Sequence, residues 1–363
     1  MNTLALLAWM LAAAPAPPGV VIDHEPHVAA QYIGSPSIVI LPDGGYLASH
    51  DLFGKDSTQS TSAVTKVFLS RDRGKTWRKT AEMHDQFWSN LFLHKGSAYL
   101  MGTTYEYGRI VIRKSRDGVT WSAPSMLTEE AGYHTAPLPV VIQHGRLWRA
   151  MEYHPKGPWG HFEAFLISAP VGADLMNAKS WTMTPRLKFP AQAAAGKDWL
   201  EGNAVIAPDG SLVDVLRVND VEKAALAKLE DGELHFETFT DFPGGAKKFT
   251  IRYDKKSKRY WALANPALKQ YSRSAENPAS VRNTLALLSS KDLKDWRVER
   301  TVVSHPDPER HAFQYPDWQF DGKDIVCVSR TAFDDEASGA PRGHDANFLT
   351  FHRIANFRDS ERH

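Results

Sequence analysis

One phrase recurs six times along this chain: an apolar strand, a tight turn built from Gly, Asp or Lys, and a second apolar strand. The turns are Pro42-Asp43-Gly44-Gly45, Lys95-Gly96, His144-Gly145, Pro208-Asp209-Gly210, 254–258 and Asp321-Gly322-Lys323. Such turns between β-rich runs predict hairpins. A third strand-like run follows each hairpin, at 64–69, 109–114, 163–168, 223–229, 282–288 and 347–353. A sheet this small cannot bury its own apolar faces, so the units must stack on one another.

Six such units closing into a ring give an all-β, six-bladed β-propeller. An N-terminal strand within 20–28 would complete the last blade and leave no open sheet edge. The irregular stretches 180–200 and 266–280 leave room for a seventh blade. Three of the third strands run into one kind of turn: Ser70-Arg71-Asp72-Arg73-Gly74-Lys75-Thr76-Trp77, Ser115-Arg116-Asp117-Gly118-Val119-Thr120-Trp121 and Ser290-Lys291-Asp292-Leu293-Lys294-Asp295-Trp296. The Asp suits backbone N–H groups in the turn, Gly supplies unusual φ, and Trp covers the blade edge. The second copy is one residue shorter and the third lacks the Gly.

Composition removes several classes. With 43 Lys+Arg against 42 Asp+Glu there is no basic footprint for nucleic acid. The basic run 255–259 lies between two strand-like segments and reads as a solvated hairpin tip. The one cysteine, Cys327, sits among apolar neighbours as a buried strand residue, without a disulfide partner or a zinc set. Residues 4–14 form an apolar run followed by small residues, so 1–18 reads as a secretory signal and 19–363 as one propeller domain. No other apolar segment is long enough to span a membrane.

Up-and-down strands place the entry to each innermost strand and the exit from each second strand on one face. His50, Tyr105, Glu152, Arg217 and Arg330 stand at second-strand ends. His134, Lys248 and Gln314 precede innermost strands, with Tyr133, Trp199 and Tyr315 beside them, and Arg282 begins a third strand. Three long loops, 51–63, 266–279 and 331–346, open on the same face. Several Arg at one mouth suit a carboxylate, and aromatic rings suit sugar faces. His24 and His27, or His344 with Asp345, are candidate metal ligands, but no His pair has the spacing of a zinc protease. A structural calcium in the central channel is compatible with the chain, and no cofactor is required.

Further stretches join the three turns: Tyr32-Ile33-Gly34-Ser35-Pro36-Ser37, His134-Thr135-Ala136-Pro137, Trp199-Leu200-Glu201-Gly202-Asn203, Lys247 to Tyr253, Ser329 to Asp335 and His344 to Arg353. Together with the Asp-box pattern Ser-x-Asp-x-Gly-x-x-Trp, they resemble sialidase-like propellers, specifically secreted bacterial exo-sialidase-like proteins. Less specifically, the chain is similar to propellers acting on L-rhamnose α-1,4-linked to D-glucuronate, both rhamnosidases and rhamnosyl-glucuronate lyases. In those a histidine is central to catalysis, and the resemblance matches it to His50. Sialidases open on Phe/Tyr-Arg-Ile-Pro, whose Arg holds the sialic carboxylate. Here the region reads Tyr32-Ile33-Gly34-Ser35-Pro36, without Arg, and a Tyr–Glu nucleophile pair is not placed.

The resemblance implies a secreted or periplasmic, exo-acting polysaccharide lyase or glycoside hydrolase, cleaving a terminal sugar next to a uronic acid. Arg217, Arg282 and Arg330 with Lys248 would neutralise the carboxylate. His50 or His134 would act as base, and Tyr105 or the other His as acid. Glu152 and Gln314 complete the expected binding set. An exo-α-sialidase and a non-catalytic glycan-binding propeller are the alternatives.

Overall fold

The computed structural model describes residues 16–154, 160–190, 196–271 and 277–362. The expected signal, 1–18, falls almost wholly outside them. The chain forms six antiparallel sheets, the blades of one propeller. The first is Ser37–Ile40, Tyr46–Phe53, Val64–Ser70 and Arg78–His84, and the second Phe87–His94, Ser97–Thr103, Ile110–Ser115 and Ser125–Met126. The third centres on Arg146–Tyr153 and Glu163–Pro170. The fourth runs Trp199–Ile206, Leu212–Val218, Lys223–Glu230 and Glu233–Asp241. The fifth is Thr250–Asp254, Arg259–Ala264, Thr284–Ser290 and Arg297–Ser304. The sixth, Ala312–Asp321, Asp324–Ala332 and Phe348–Ile354, takes its outer strand from the other end of the chain, Val20–His24. That closing strand is shorter than 20–28, because His27–Ala29 turns into a 3₁₀ helix. No seventh sheet occurs among the described residues.

The core is a ring of six apolar clusters, one at each blade-to-blade interface. Strands buried on both faces explain why their sequences read as apolar runs. Cys327 lies wholly inside, and burial pushes its thiol pKa up, so it stays protonated.

The three Ser-x-Asp turns share one bonding scheme. Backbone N–H groups of Thr76, Thr120 and Asp295 donate to Asp72, Asp117 and Asp292 at 2.9, 2.8 and 2.8 Å. Gly118 has φ 72° in the second turn, and Leu293 takes φ 68° at the matching place in the third. There the missing glycine is replaced by a leucine whose side chain is buried in the interface, so packing offsets the strained backbone.

Candidate active site

The ring places one polar cavity of about 510 Å³ where the innermost strands begin. Three local irregularities aim side chains into it. Bulges interrupt the second, fourth and sixth innermost strands between Phe87 and Asn90, Leu200 and Asn203, and Gln314 and Asp317. Within them Trp88, Glu201 and Tyr315 take φ of 45°, 55° and 54°, and all three line the cavity. Left-handed backbone at non-glycine residues costs about 1–3 kcal/mol each and re-aims the side chain. The residue closing each bulge pays it back in the ring: Asn203 accepts from Ile251 N–H at 2.9 Å and Asp317 from Ile38 N–H at 3.0 Å, each on the next blade.

Arg217, Arg282 and Arg330 all line this cavity. Arg217 donates to Glu201 at 2.6 Å and to Asn219 at 3.0 Å. Arg282 donates to Gln314 at 2.7 Å and to the Ala279 carbonyl at 3.0 Å. Arg330 lies 4.4 Å from the centre of the Phe53 ring and 4.9 Å from that of Tyr315. Arg282 and Arg330 lie 5.8 and 4.9 Å from the centre of the Tyr315 ring, and Arg217 lines the same cavity. Three cations and one phenol therefore share the cavity. Burial, with Arg282 adding to it, pushes Arg330 down to about 10, and burial with Arg217 adding to it lowers Arg282. Gly34 and Ser35 line one wall of the cavity. Arg330 of the sixth blade, 4.4 Å from the ring centre of Phe53 on the first, brings a guanidinium toward that wall.

The opposite wall carries His134, whose Nδ1 lies 3.0 Å from Glu152. Glu152 is fully buried and accepts the Gly202 N–H at 2.9 Å, so it holds the imidazole from behind. Asp214 is buried beside it, with neither carboxylate oxygen hydrogen-bonded among the described residues. Burial and the Glu152 charge raise its pKa well above the carboxylate range, so it is a neutral acid. Trp88 and Tyr107 pack on His134 at ring-centre distances of 4.4 and 6.2 Å. Burial raises the Tyr107 hydroxyl, keeping it protonated. Glu106 accepts from Gln59 at 2.8 Å and completes this side.

Five of the expected site residues stand outside the cavity lining. His50 does not line the cavity: it is fully buried, with Nδ1 2.9 Å from the Asp51 carbonyl and Nε2 2.8 Å from Asp23. Its strand position turns the ring toward the closing N-terminal strand, where Lys66 joins the same Asp23. Burial alone would raise the Asp23 pKa, but His50 and Lys66 outweigh it and bring it to about 2. His50→Ala should therefore cost about 2–4 kcal/mol of stability, by emptying a fully buried ring site and leaving Asp23 with Lys66 alone, and leave turnover intact. Denaturant unfolding beside an activity assay checks this; a large loss of kcat in a stable variant would restore His50 to the site.

Tyr105 is also absent from the cavity, its place taken by Tyr107, whose φ of 59° swings it inward. Lys248 is fully buried and donates to Thr250 at 2.7 Å and to the Pro316 carbonyl at 2.6 Å, which ties two blades together. Glu152 and Gln314 stand behind the lining, supporting His134 and Arg282, and so position groups without touching a ligand. The residues missed from sequence are Gln59, Trp88, Glu106 and Tyr107. Their signal was weak: short loop positions, or one residue placed before a small residue and an Asn.

The histidines considered for metal have other partners. His24 lies 3.0 Å from Asp335, His27 stacks near Tyr32, and His344 Nδ1 lies 2.8 Å from Asp345. Among the described residues no group of three or more His, Cys, Asp or Glu is placed to hold a metal ion. No described helix is long and apolar enough to cross a membrane.

The fold is that of the sialidase-like propellers. The Hadza microbial sialidase Hz136 superposes with a TM-score of 0.64 over 94% of this chain and 69% of that one, at 13% identity. A Trypanosoma rangeli sialidase in complex with 2,3-difluorosialic acid, a covalent intermediate, gives 0.60 over 91% and 55%, at 12% identity. A Penicillium chrysogenum α-L-arabinanase complexed with arabinobiose gives 0.57 over 93% and 98%, at 14% identity. Likeness at this identity establishes the fold alone. No protein-family profile matches the chain, and no curated protein sequence does.

Proposed function

We propose that this chain is an exo-acting glycosidase that removes a terminal acidic sugar. The observation that carries the reading is the cluster of Arg217, Arg282 and Arg330 around Tyr315, with Glu201 on Arg217. Guanidinium groups bind a carboxylate bidentately, and here they are buried without a carboxylate of their own on Arg282 or Arg330 among the described side-chain bonds. Because Arg282 and Arg330 flank the Tyr315 ring, a carboxylate held by them would lie close to Tyr315. A 2-keto-acid sugar, whose anomeric carbon bears the carboxylate, fits that arrangement.

Tyrosine is an uncommon glycosidase nucleophile, used by sialidases. Its oxygen would attack the anomeric carbon, passing its proton to Glu201, while the glycosidic oxygen leaves with a proton. His344, backed by Asp345, stands on the arginine side of the cavity where that oxygen departs. Partial burial, then the Arg330 charge, hold His344 down at about 3. A substrate carboxylate on Arg330 offsets the second and smaller of these, so binding raises the imidazole toward protonation while burial still holds it down. Water then attacks the anomeric carbon, giving its proton to the same imidazole, and Tyr315 departs by taking back the proton held on Glu201.

A second reading is favoured by the His134–Glu152 pair. In a uronate lyase Tyr315 would remove the proton beside the arginine-held carboxylate, and His134 would protonate the leaving O4. The two differ in product. Hydrolysis of a 4-methylumbelliferyl N-acetylneuraminide, with no absorbance rise near 235 nm on rhamnosyl-glucuronate glycans, is the expected result. A rise at that wavelength, from an unsaturated uronate, would replace the first reading by the second. Binding without any product from either substrate would leave a glycan-binding propeller.

A further inference from the structure

A buried ammonium stands beside the arginines, and the proposed chemistry does not use it. Lys247 is fully buried and is no part of the cavity lining. Its Nζ donates to the Glu222 carboxylate at 2.7 Å and to the Pro278 carbonyl at 2.7 Å. The other Glu222 oxygen accepts the Gly244 N–H at 2.5 Å and the Ala267 N–H at 3.3 Å. One ion pair thus joins the end of the second strand in the fourth blade, the entry to the fifth blade, and two points on the connection between the second and third strands of the fifth. These stretches are pressed together. A Cβ on Gly245 would lie 2.2 Å from the Lys223 carbonyl oxygen.

What the pair holds is cavity wall. Asn277, Ala279 and Ser280 line the cavity, and Asn277 also donates to Asp220 at 2.7 Å. Asn277 Oδ1 accepts the Ala279 N–H at 2.9 Å, and the Ala279 carbonyl accepts from Arg282 Nε at 3.0 Å. The path from Lys247 to the clamp is therefore one carbonyl, the next peptide and a guanidinium. Desolvation offsets the attraction in a buried ion pair, so such a pair adds little net stability. What it adds is direction: an ammonium with three donors holds a carboxylate and a carbonyl at once, which an apolar side chain of the same volume cannot.

We propose that Lys247 is a positioning residue: with Glu222 it fixes the wall from Asn277 to Ser280 and, through the Ala279 carbonyl, the Arg282 guanidinium that receives the substrate carboxylate. This rests on the acidic-sugar reading of the cavity. Lys247 takes no part in bond breaking, so its loss weakens binding and spares turnover.

The role is visible to pH. Glu222, Arg282 and Arg217 are the charges that face Lys247. Burial, with Arg282 and Arg217 adding to it, brings Lys247 down to about 8 against the opposing pull of Glu222. Below that pH the ammonium is present and its grip complete. Above it the amine is neutral and the ion pair is gone, so KM should rise as pH passes about 8. Arg330, at about 10, keeps its charge through this range.

The test is a stopped assay on 4-methylumbelliferyl N-acetylneuraminide, with KM and kcat followed from about pH 6 to about pH 9.5. Lys247→Met should raise KM about tenfold near neutral pH, keep kcat within about twofold, and abolish the alkaline rise. Lys247→Arg, charged throughout, should bring KM back toward wild type and also abolish the rise. Glu222→Gln should move the rise to lower pH, because it removes the charge that keeps Lys247 protonated. If Lys247→Met fails to fold, the direction of the Glu222→Gln shift decides. A Lys247→Met enzyme with wild-type KM and the same alkaline rise overturns the proposal. So does a loss of melting temperature and kcat at unchanged KM, which would make the pair structural only. If wild type cleaves the substrate with a KM flat in pH, the positioning role is wrong while the acidic-sugar reading stands. If wild type cleaves no acidic sugar, that reading has failed and the role of Lys247 falls with it.

Discussion

Tyr315→Phe is expected to lower kcat on an aryl glycoside by about a thousandfold or more, because it deletes the phenol oxygen proposed as the nucleophile in the arginine-lined cavity. The ring remains, so its contact with Arg330 at 4.9 Å and the bulge that carries it should persist, and melting should stay near wild type. A 2,3-difluoro acidic sugar, which slows the second step, should add its mass to the Tyr315 peptide of wild type and not to the variant. A wild-type enzyme that turns over without ever labelling Tyr315 would make the phenol a base or a binding group, and would move the case toward the lyase.

The second large effect lies in the clamp. Arg330→Ala should lower kcat/KM for an acidic sugar by about a hundredfold to a thousandfold, the range for losing a buried charged contact. Arg330→Lys should not rescue it. The guanidinium carbon lies 4.4 and 4.9 Å from the ring centres of Phe53 and Tyr315, and an ammonium there neither stacks nor forks. Stability should respond in the opposite direction. Arg330 Nε is buried without a hydrogen bond among the described residues, and burial beside Arg282 pushes its pKa down to about 10. The empty site therefore stores unfavourable charge, and Arg330→Ala should melt at or above the wild-type temperature. A variant that loses activity and melts much lower would mark Arg330 as structural. Titration with free acidic sugar separates the cases, since ligand should raise the melting of wild type and not of the variant.

Much of the fold was legible before any coordinates. Turn residues at Gly44, Gly96, Gly145, Gly210 and Gly322 mark five of six hairpins, and the three Ser-x-Asp turns mark where third strands end. Both signals are local: a tight turn needs particular φ values, and only a few residues accept them. Closure of the sixth sheet by residues near Val20 followed from the cost of an open edge. The three arginines were also legible, because strand ends on one face of a ring must converge.

His50, Tyr105 and Lys248 were not readable in the same way. His50 and Arg217 occupy similar places at the ends of second strands, yet one is sealed against Asp23 and the other lines the cavity. Which way a terminal side chain turns depends on bulges and on the neighbouring blade, and neither leaves a mark in strand periodicity. Tyr315 and Glu201 show the same limit from the other side. The chain names both residues, but only their left-handed backbone, held by bonds to the adjacent blade, brings a phenol and a carboxylate to the arginines. Turns, strands and ring closure are set by short-range sterics and by burial, so the sequence alone determined them. That Glu201 and Tyr315, 114 residues apart in the chain, line one cavity was decided by tertiary structure, because only blade-to-blade packing brings their strands to the same place.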